Sequence, residues 1–339
     1  MAWRECLRGR DAVTNRLGRC LSSHPSPTGH SAGTASPADG TAVSAPDYRI
    51  WALRSLGRLP LPVLHLIGAV LGTTLSFLPL RLRTMIDINL ALCFPEQPPS
   101  WRRHLRRRAM AHLGRLAFEV GKVWSADRRE IQALVRETRG EALIGEVLAR
   151  GGAIVATPHL GCWEMTSNYL SLHYNLTALY RPQKGELDRW IREQRQRLGA
   201  HLEPADQGGV RALMAALRRG ELAGLLPDQD PGAGGTFVTH FGQSANTPLL
   251  LARLAHKAKV PVILCFAERL RWGRGYRIHF EQVADGVADP DAQVGTQVLS
   301  DAVEALIRRY PEQYFWNYQR FRRRPPGEPR IYPRRTRPR

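Results

Sequence analysis

The chain has 339 residues, 43% of them hydrophobic, so it can bury at least one sizeable core and is not disordered as a whole. It carries 49 Lys and Arg against 30 Asp and Glu, a net charge of +19 that points to an anionic partner: nucleic acid, an anionic membrane or a phosphorylated substrate. Five cysteines with no CxxC pair argue against a disulfide framework or a zinc ribbon and fit a reducing compartment.

Residues 1–46 are rich in Ser, Thr, Gly, Ala and Pro and cannot bury enough apolar surface to offset chain entropy. They read as a disordered extension, a targeting peptide or an over-long gene start. Residues 47–85 read as a membrane anchor. The 22-residue stretch Leu59–Leu80 contains no Lys, Arg, Asp or Glu. As one helix it would be about 33 Å long, enough for a hydrocarbon core of ~30 Å. Arginines flank it on both sides, and His65 and the two prolines near its start weaken a span, so a full span competes with a buried or interfacial helix. Residues 86–150 read as helical, with Met110, Leu113, Leu116, Ala117 and Val120 on one side of a helix from Arg102 to Val123 and arginines on the other.

From Gly151 the pattern becomes α/β. Strands are predicted at Ala153–Val155, Leu176–Leu179, Leu222–Leu226, Val260–Ala267 and Tyr276–Val283. Helices are predicted at Leu187–Leu198, Val210–Arg219, Pro248–Ala258 and Val294–Tyr310. This alternation implies a parallel or mixed central sheet flanked by helices. The catalytic domain is placed at 86–325 and a basic tail at 326–339, since Arg320–Arg339 carries nine Arg and one Glu.

The sharpest chemical feature is GGAIVATPHLGCWEM, in which an apolar strand runs into Thr157-Pro158-His159 and a helix begins near Cys162. His159 therefore stands at the strand-to-helix mouth, where α/β sheets place their reactive groups. Glu164 follows five residues later. The two side chains can meet only if His159 precedes the helix and the loop curls back. Such a pair suits acyl transfer to a hydroxyl: an imidazole takes the alcohol proton while a carboxylate fixes its tautomer. A histidine serving only as a loop residue is the plain alternative. Cys162 as a nucleophile is a rival, and a serine hydrolase is disfavoured because no G-x-S-x-G occurs.

HLGCWE resembles the H-x4-D/E block of glycerolipid acyltransferases, and the surrounding sequence resembles the late acyltransferases of bacterial lipid A synthesis. NLALCFPE, LYRPQKGELDRWI, LLPDQDPG and PEQYFWNYQRFRRRP match further blocks of that family in order, across roughly residues 47–325. The resemblance implies a glycerolipid-acyltransferase-like fold with an N-terminal membrane-anchoring helix. It also implies His159 as general base and Glu164 as its orienting partner. Arg181, Asp228, Gln229, Arg195 and Arg320 are then candidate substrate-binding residues, with Asp228 pairing Arg181, and Phe241, Gly242 and Thr247 shape an acyl pocket. Glu312, Gln313, Tyr314 and Trp316 read equally as site residues or as structural packing.

The donor implied is an acyl carrier protein thioester and the acceptor a lipid A precursor of the Kdo-lipid IV-A type. The implied place is the cytoplasmic face of the inner membrane, with no metal, cofactor or nucleic acid. Lys184-Gly185-Glu186 stands where the family more often has Asn-Pro, which leaves other glycolipid acceptors open. A basic, non-catalytic membrane or nucleic-acid binder is the alternative from a different class.

Overall fold

The computed structural model describes residues 47–182 and 184–333. The expected 1–46 extension and the end of the basic tail, from residue 334, lie outside them. Five helices precede or lead into the sheet: α1 (Tyr48–Gly57), α2 (Leu61–Leu75), α3 (Arg81–Cys93), α4 (Pro99–Ser125) and α5 (Arg128–Leu134). A seven-stranded sheet follows, with spatial order β1 (Val135–Arg139), β9 (Tyr276–Gln282), β8 (Val262–Arg269), β2 (Ala153–Ala156), β5 (Leu222–Leu225), β3 (Leu176–Tyr180) and β4 (His201–Pro204). All neighbours are parallel except β8 and β9. Between strands run α6 (Glu141–Arg150), α7 (Trp163–His173), α8 (Glu186–Gln196), α9 (Gln207–Arg218) and α10 (Leu250–Ala258), and α11 (Ala292–Arg309) follows the sheet. A separate antiparallel hairpin joins β6 (Gly235–His240) to β7 (Gln243–Pro248).

The central strands are apolar on both faces because both are covered. Ala153, Val155, Leu222, Ile263 and Cys265 meet α6, α7 and the end of α4. Ile154, Ala156, Ala223, Leu264 and Phe266 meet α3, α9, α10 and α11. The expected mixed sheet flanked by helices is therefore present. Three strand regions escaped the sequence: β1 lay inside the run read as helical, β4 is four residues long, and the β6–β7 hairpin has little apolar alternation. Packing also continues past residue 325, where Tyr332 is buried and its hydroxyl donates to Asn89 Oδ1 at 2.5 Å.

The anchor differs from the single long helix expected. The chain breaks at Arg58–Pro60, and α1 and α2 are bent by 119°. The second helix has 15 residues, about 22 Å. Among the described residues no single helix is long and apolar enough to cross a membrane. Its two sides differ. Leu61, Leu64, His65, Gly68 and Gly72 form one buried stripe. Along it α2 meets α4 at backbone contact, for a Cβ on Gly114 would stand 1.8 Å from the Gly68 oxygen. The opposite side, with Val63, Leu66, Val70 and Leu71, is apolar and exposed, as are Phe77 and Leu78 beyond the helix end.

Candidate active site

Register brings the site together. Strands β2 and β5 are adjacent and parallel, with Ala156 opposite Leu225, and the Thr157 amide extends the ladder by donating to the Leu225 carbonyl at 2.9 Å. His159 lies three residues beyond Ala156 and Asp228 three beyond Leu225. Both therefore emerge side by side at the carboxyl end of the sheet. Asp228 accepts twice from His159, from its backbone N–H at 2.9 Å and at ring Nδ1 at 2.8 Å. Asp228 is buried, whereas the His159 side chain keeps 15% exposure. Burial alone would raise the Asp228 carboxyl, but the His159 charge and hydrogen bonds, aided by Arg320, hold it below the usual range.

The loop between β2 and α7 is pinned from two sides. Cys162 N–H donates to the Ala267 carbonyl of β8 at 2.8 Å, and Gly161 N–H to the Gln313 carbonyl at 3.1 Å. Gly161 has φ +60°, and a Cβ there would come within 2.1 Å of the Ala267 oxygen, so only glycine fits. Phe315 N–H closes the clamp by donating to the His159 carbonyl at 3.0 Å. Trp163 and Phe315 flank the imidazole, their ring centres 5.0 and 6.2 Å from it.

This geometry corrects the expected partner of His159. The carboxylate on Nδ1 belongs to Asp228. Glu164, in the first turn of α7, is buried and faces another way: it accepts from Trp124 Nε1 at 2.8 Å and pairs with the Arg195 guanidinium. Burial pushes the Glu164 carboxyl up, but Arg195 and Trp124 outweigh it and hold it low. The loop does not curl back as that pairing requires: the helix starts at Trp163, and Glu164 in its first turn points to Trp124 and Arg195 instead. Asp228 does not pair with Arg181, which stands exposed just past β3 on the same sheet edge. Gln229 follows Asp228, half-buried.

Arg195 and Arg197 diverge, as two residues two apart on a helix must. Arg197 binds the carbonyls of Trp124 and Ala126 at the end of α4, a structural cap. Arg320 was expected to touch substrate, but it is 4% exposed and donates to the Asn246 carbonyl at 2.6 Å and to Thr247 Oγ1. It acts as a buried positive charge behind Asp228. Phe241 packs edge-on against Phe94 and Trp316. Among the described residues no His, Cys, Asp and Glu side chains gather as a metal site.

The sequence missed a second buried network. Glu119 of α4 binds Arg269 twice, at 2.8 and 2.6 Å, accepts from Tyr276 Oη at 2.9 Å and meets His65 Nε2 at 2.7 Å. Gln313 then holds Arg269 through its backbone, accepting from the amide at 2.9 Å. Only the isolated His65 in an apolar run signalled such a partner.

An imidazole held by a buried carboxylate at a sheet edge can act as a base toward a hydroxyl. Comparison with known proteins gives the family. The chain is 26% identical over 280 residues to the lipid A biosynthesis palmitoleoyltransferase of Escherichia coli (strain K12), covering 81% of this chain and 90% of that one. It is 29% identical over 282 residues to the lipid A biosynthesis lauroyltransferase of the same organism, with the same coverage. It is 27% identical over 227 residues to the phosphatidylinositol mannoside acyltransferase of Mycolicibacterium smegmatis (strain ATCC 700084 / mc(2)155), covering 63% of this chain and 66% of that one. Residues 41–323 match the family model of the bacterial lipid A biosynthesis acyltransferases, and the chain belongs to that family.

Proposed function

We propose that this acyltransferase moves a fatty acyl group from an acyl carrier protein thioester to a hydroxyl of a lipid A precursor of the Kdo-lipid IV-A type. The observation that carries the mechanism is the two-fold hold of Asp228 on His159. With Nδ1–H donated to Asp228, the lone pair of the imidazole lies on Nε2, on the partly exposed side of the ring. Nε2 takes the proton of the acceptor hydroxyl as its oxygen attacks the thioester carbonyl. Asp228 stabilises the imidazolium that forms, and the proton passes to the departing thiolate. The new ester forms as the thioester breaks, and no covalent enzyme intermediate is required.

Glu164 fixes Arg195, whose side chain remains 30% exposed and suits an acceptor phosphate. Arg181 offers a second cation at the same sheet edge.

The chain works at the cytoplasmic face of the inner membrane, lying on it. The exposed side of α2 and the Phe77–Leu78 turn enter the interface. Arg83 donates to the Phe77 carbonyl and Arg107 stands over the Phe77 ring at 5.2 Å, so cations meet anionic headgroups beside the apolar tip. The test is acyl transfer in purified membranes from acyl carrier protein donors to a tetra-acylated, Kdo-bearing precursor, with His159→Ala as control. A penta-acylated product absent from the variant is expected. Transfer to total lipid extract but not to this precursor would discard the acceptor and keep the reaction.

A further inference from the structure

The turn that joins β8 to β9, residues 270–275, takes no part in the site. The ladder ends with Arg269 opposite Tyr276, the Leu270 N–H donates to the Gly275 carbonyl at 2.9 Å, and the Arg274 N–H closes on the Arg271 carbonyl at 3.4 Å. Trp272 and Gly273 are the two central residues, with φ +62° and +67°. Turns with two left-handed centres favour Asn, Asp or Gly at the first, because a bulky side chain is strained there. This chain places a tryptophan at that position and leaves it 86% exposed. Among the described residues no ring packs on the indole. A strained backbone and a wetted indole are two costs that packing inside the chain does not offset, which points to a partner outside it.

The surroundings of the indole give the chemistry of that partner. Arg271 and Arg274 stand exposed on either side of the two central residues, and residues 270–275 contain no Asp or Glu. Arg136 of β1, also exposed, donates to the Arg274 carbonyl at 2.9 Å and brings a third cation to the tip. The turn is fixed to α2 as well. A Cβ on Gly273 would stand 2.4 Å from the Pro62 Cα, so the turn meets the start of that helix at backbone contact. From there exposed Val63, Leu66, Val70 and Leu71 lead along α2 to Phe77 and Leu78. This apolar ridge is about 22 Å long. It carries an aromatic ring with arginines at each end, Trp272 with Arg271 and Arg274 at one and Phe77 with Arg83 and Arg107 at the other. An indole beside guanidiniums suits a membrane–water boundary, where the ring sits at headgroup level and the cations meet phosphates.

We propose that the Trp272 turn is a second interfacial anchor, entering an anionic bilayer at the start of α2 as the Phe77–Leu78 turn does at its end, so that α2 lies along the surface with both ends held. The proposal rests on the reading that the outward side of α2 lies on the membrane. It is tested with the full chain by flotation with vesicles of phosphatidylethanolamine and phosphatidylglycerol. Trp272→Asn should lower partition about ten-fold, as partial burial of one indole predicts. Its melting temperature should hold or rise, because Asn suits the turn, whereas a packing role would lower it. Trp272→Phe, which keeps a ring on the same backbone, should retain most of the binding. Arg274→Gln should weaken partition onto the anionic vesicles by about five-fold and leave that onto phosphatidylcholine vesicles unchanged. Val70→Ser, on the outward side of α2, separates the two readings. Weaker partition for Val70→Ser with wild-type partition for Trp272→Asn would keep α2 on the membrane and overturn the anchor. The reverse result would keep the anchor and remove α2 from the interface. Wild-type partition of Trp272→Asn with loss of self-association would give the tip to a second copy of the chain and overturn the proposal, as would absence of vesicle binding by the wild type.

Discussion

Two histidines of this chain each meet a buried carboxylate, His65 with Glu119 at 2.7 Å and His159 with Asp228 at 2.8 Å. The His65 side chain is 4% exposed, and its carboxylate is shared with Arg269 and Tyr276. The His159 side chain is 15% exposed, and its carboxylate holds it twice, at the backbone N–H and at Nδ1. The pair itself is therefore not what makes a base. In the proposed mechanism access to the far nitrogen does so, while the same atoms sealed against an arginine become a structural joint between α2, α4 and the sheet.

The largest effects should fall on the open pair. His159→Ala is expected to lower transfer about 100- to 10,000-fold, and Asp228→Asn, which leaves the shape and removes the charge, to fall in the same range. Glu164→Gln should cost far less activity than Asp228→Asn, because Glu164 reaches the site only through Arg195. Turnover per folded molecule, measured for the three variants side by side, decides between the two carboxylates. A Glu164→Gln enzyme slower than Asp228→Asn would restore the pairing that spacing suggested.

The sealed pair should show the reverse profile. Glu119→Ala leaves Arg269 buried without its counter-charge, and the loss is about 3–5 kcal/mol of stability. Burial alone would raise the Glu119 carboxyl, yet the Arg269 charge and the His65 bond hold it far below the usual range. Urea unfolding should show the loss, while kcat of the folded fraction stays near that of the wild type. A variant of wild-type stability would mean that the network carries no net stabilisation.

Acid should separate two classes of buried group. His240 is held down at about 3 by burial and by the Arg320 charge, and His112 is lowered by burial and by Arg269. A lowered histidine keeps its proton off in the folded state while the unfolded chain takes one near pH 6.5. Its stability contribution is thus complete above that pH and declines as pH falls, by about 1.4 kcal/mol per pH unit for each such group. Asp228 and Glu119 are lowered carboxylates, so their contributions are complete above pH ~4 and are lost only below it. Unfolding free energy followed from pH 7 to pH 5 should therefore already fall. A flat profile in that window would contradict the buried neutral state of His240 and His112.

Legibility followed periodicity and chemistry, and failed where tertiary contacts decide. β2, β3, β5 and β8 were readable as short apolar runs, and β9 alternates Tyr276, Ile278 and Phe280 with Arg277, His279 and Glu281. Val135–Arg139 was not, since an edge strand of alternating charge resembles the helical surface around it. The position of His159 was readable from Pro158 and Gly161, but its partner was not, because Asp228 is 69 residues away and arrives through strand register. Composition showed the apolar stretch 59–80 and its prolines marked where a helix breaks, while the Gly68–Gly114 contact that buries one side of α2 appears only in the fold.

The smallest expected effect concerns Cys162, the nucleophile that a cysteine near a histidine at a helix start invites. Its thiol is fully buried, and burial followed by the Glu119 charge pushes its pKa well above the ordinary value. A thiol so placed is neither ionised nor accessible at neutral pH. Cys162 is also buried in the core at the foot of the His159 loop, with its amide fixed to the Ala267 carbonyl. Cys162→Ala removes one sulfur from the core and should leave transfer within a few-fold of the wild type, with iodoacetamide failing to inactivate the native enzyme. Loss of activity in a variant that melts normally would return the thiol to the mechanism and make His159 its activator instead of the base for the acceptor.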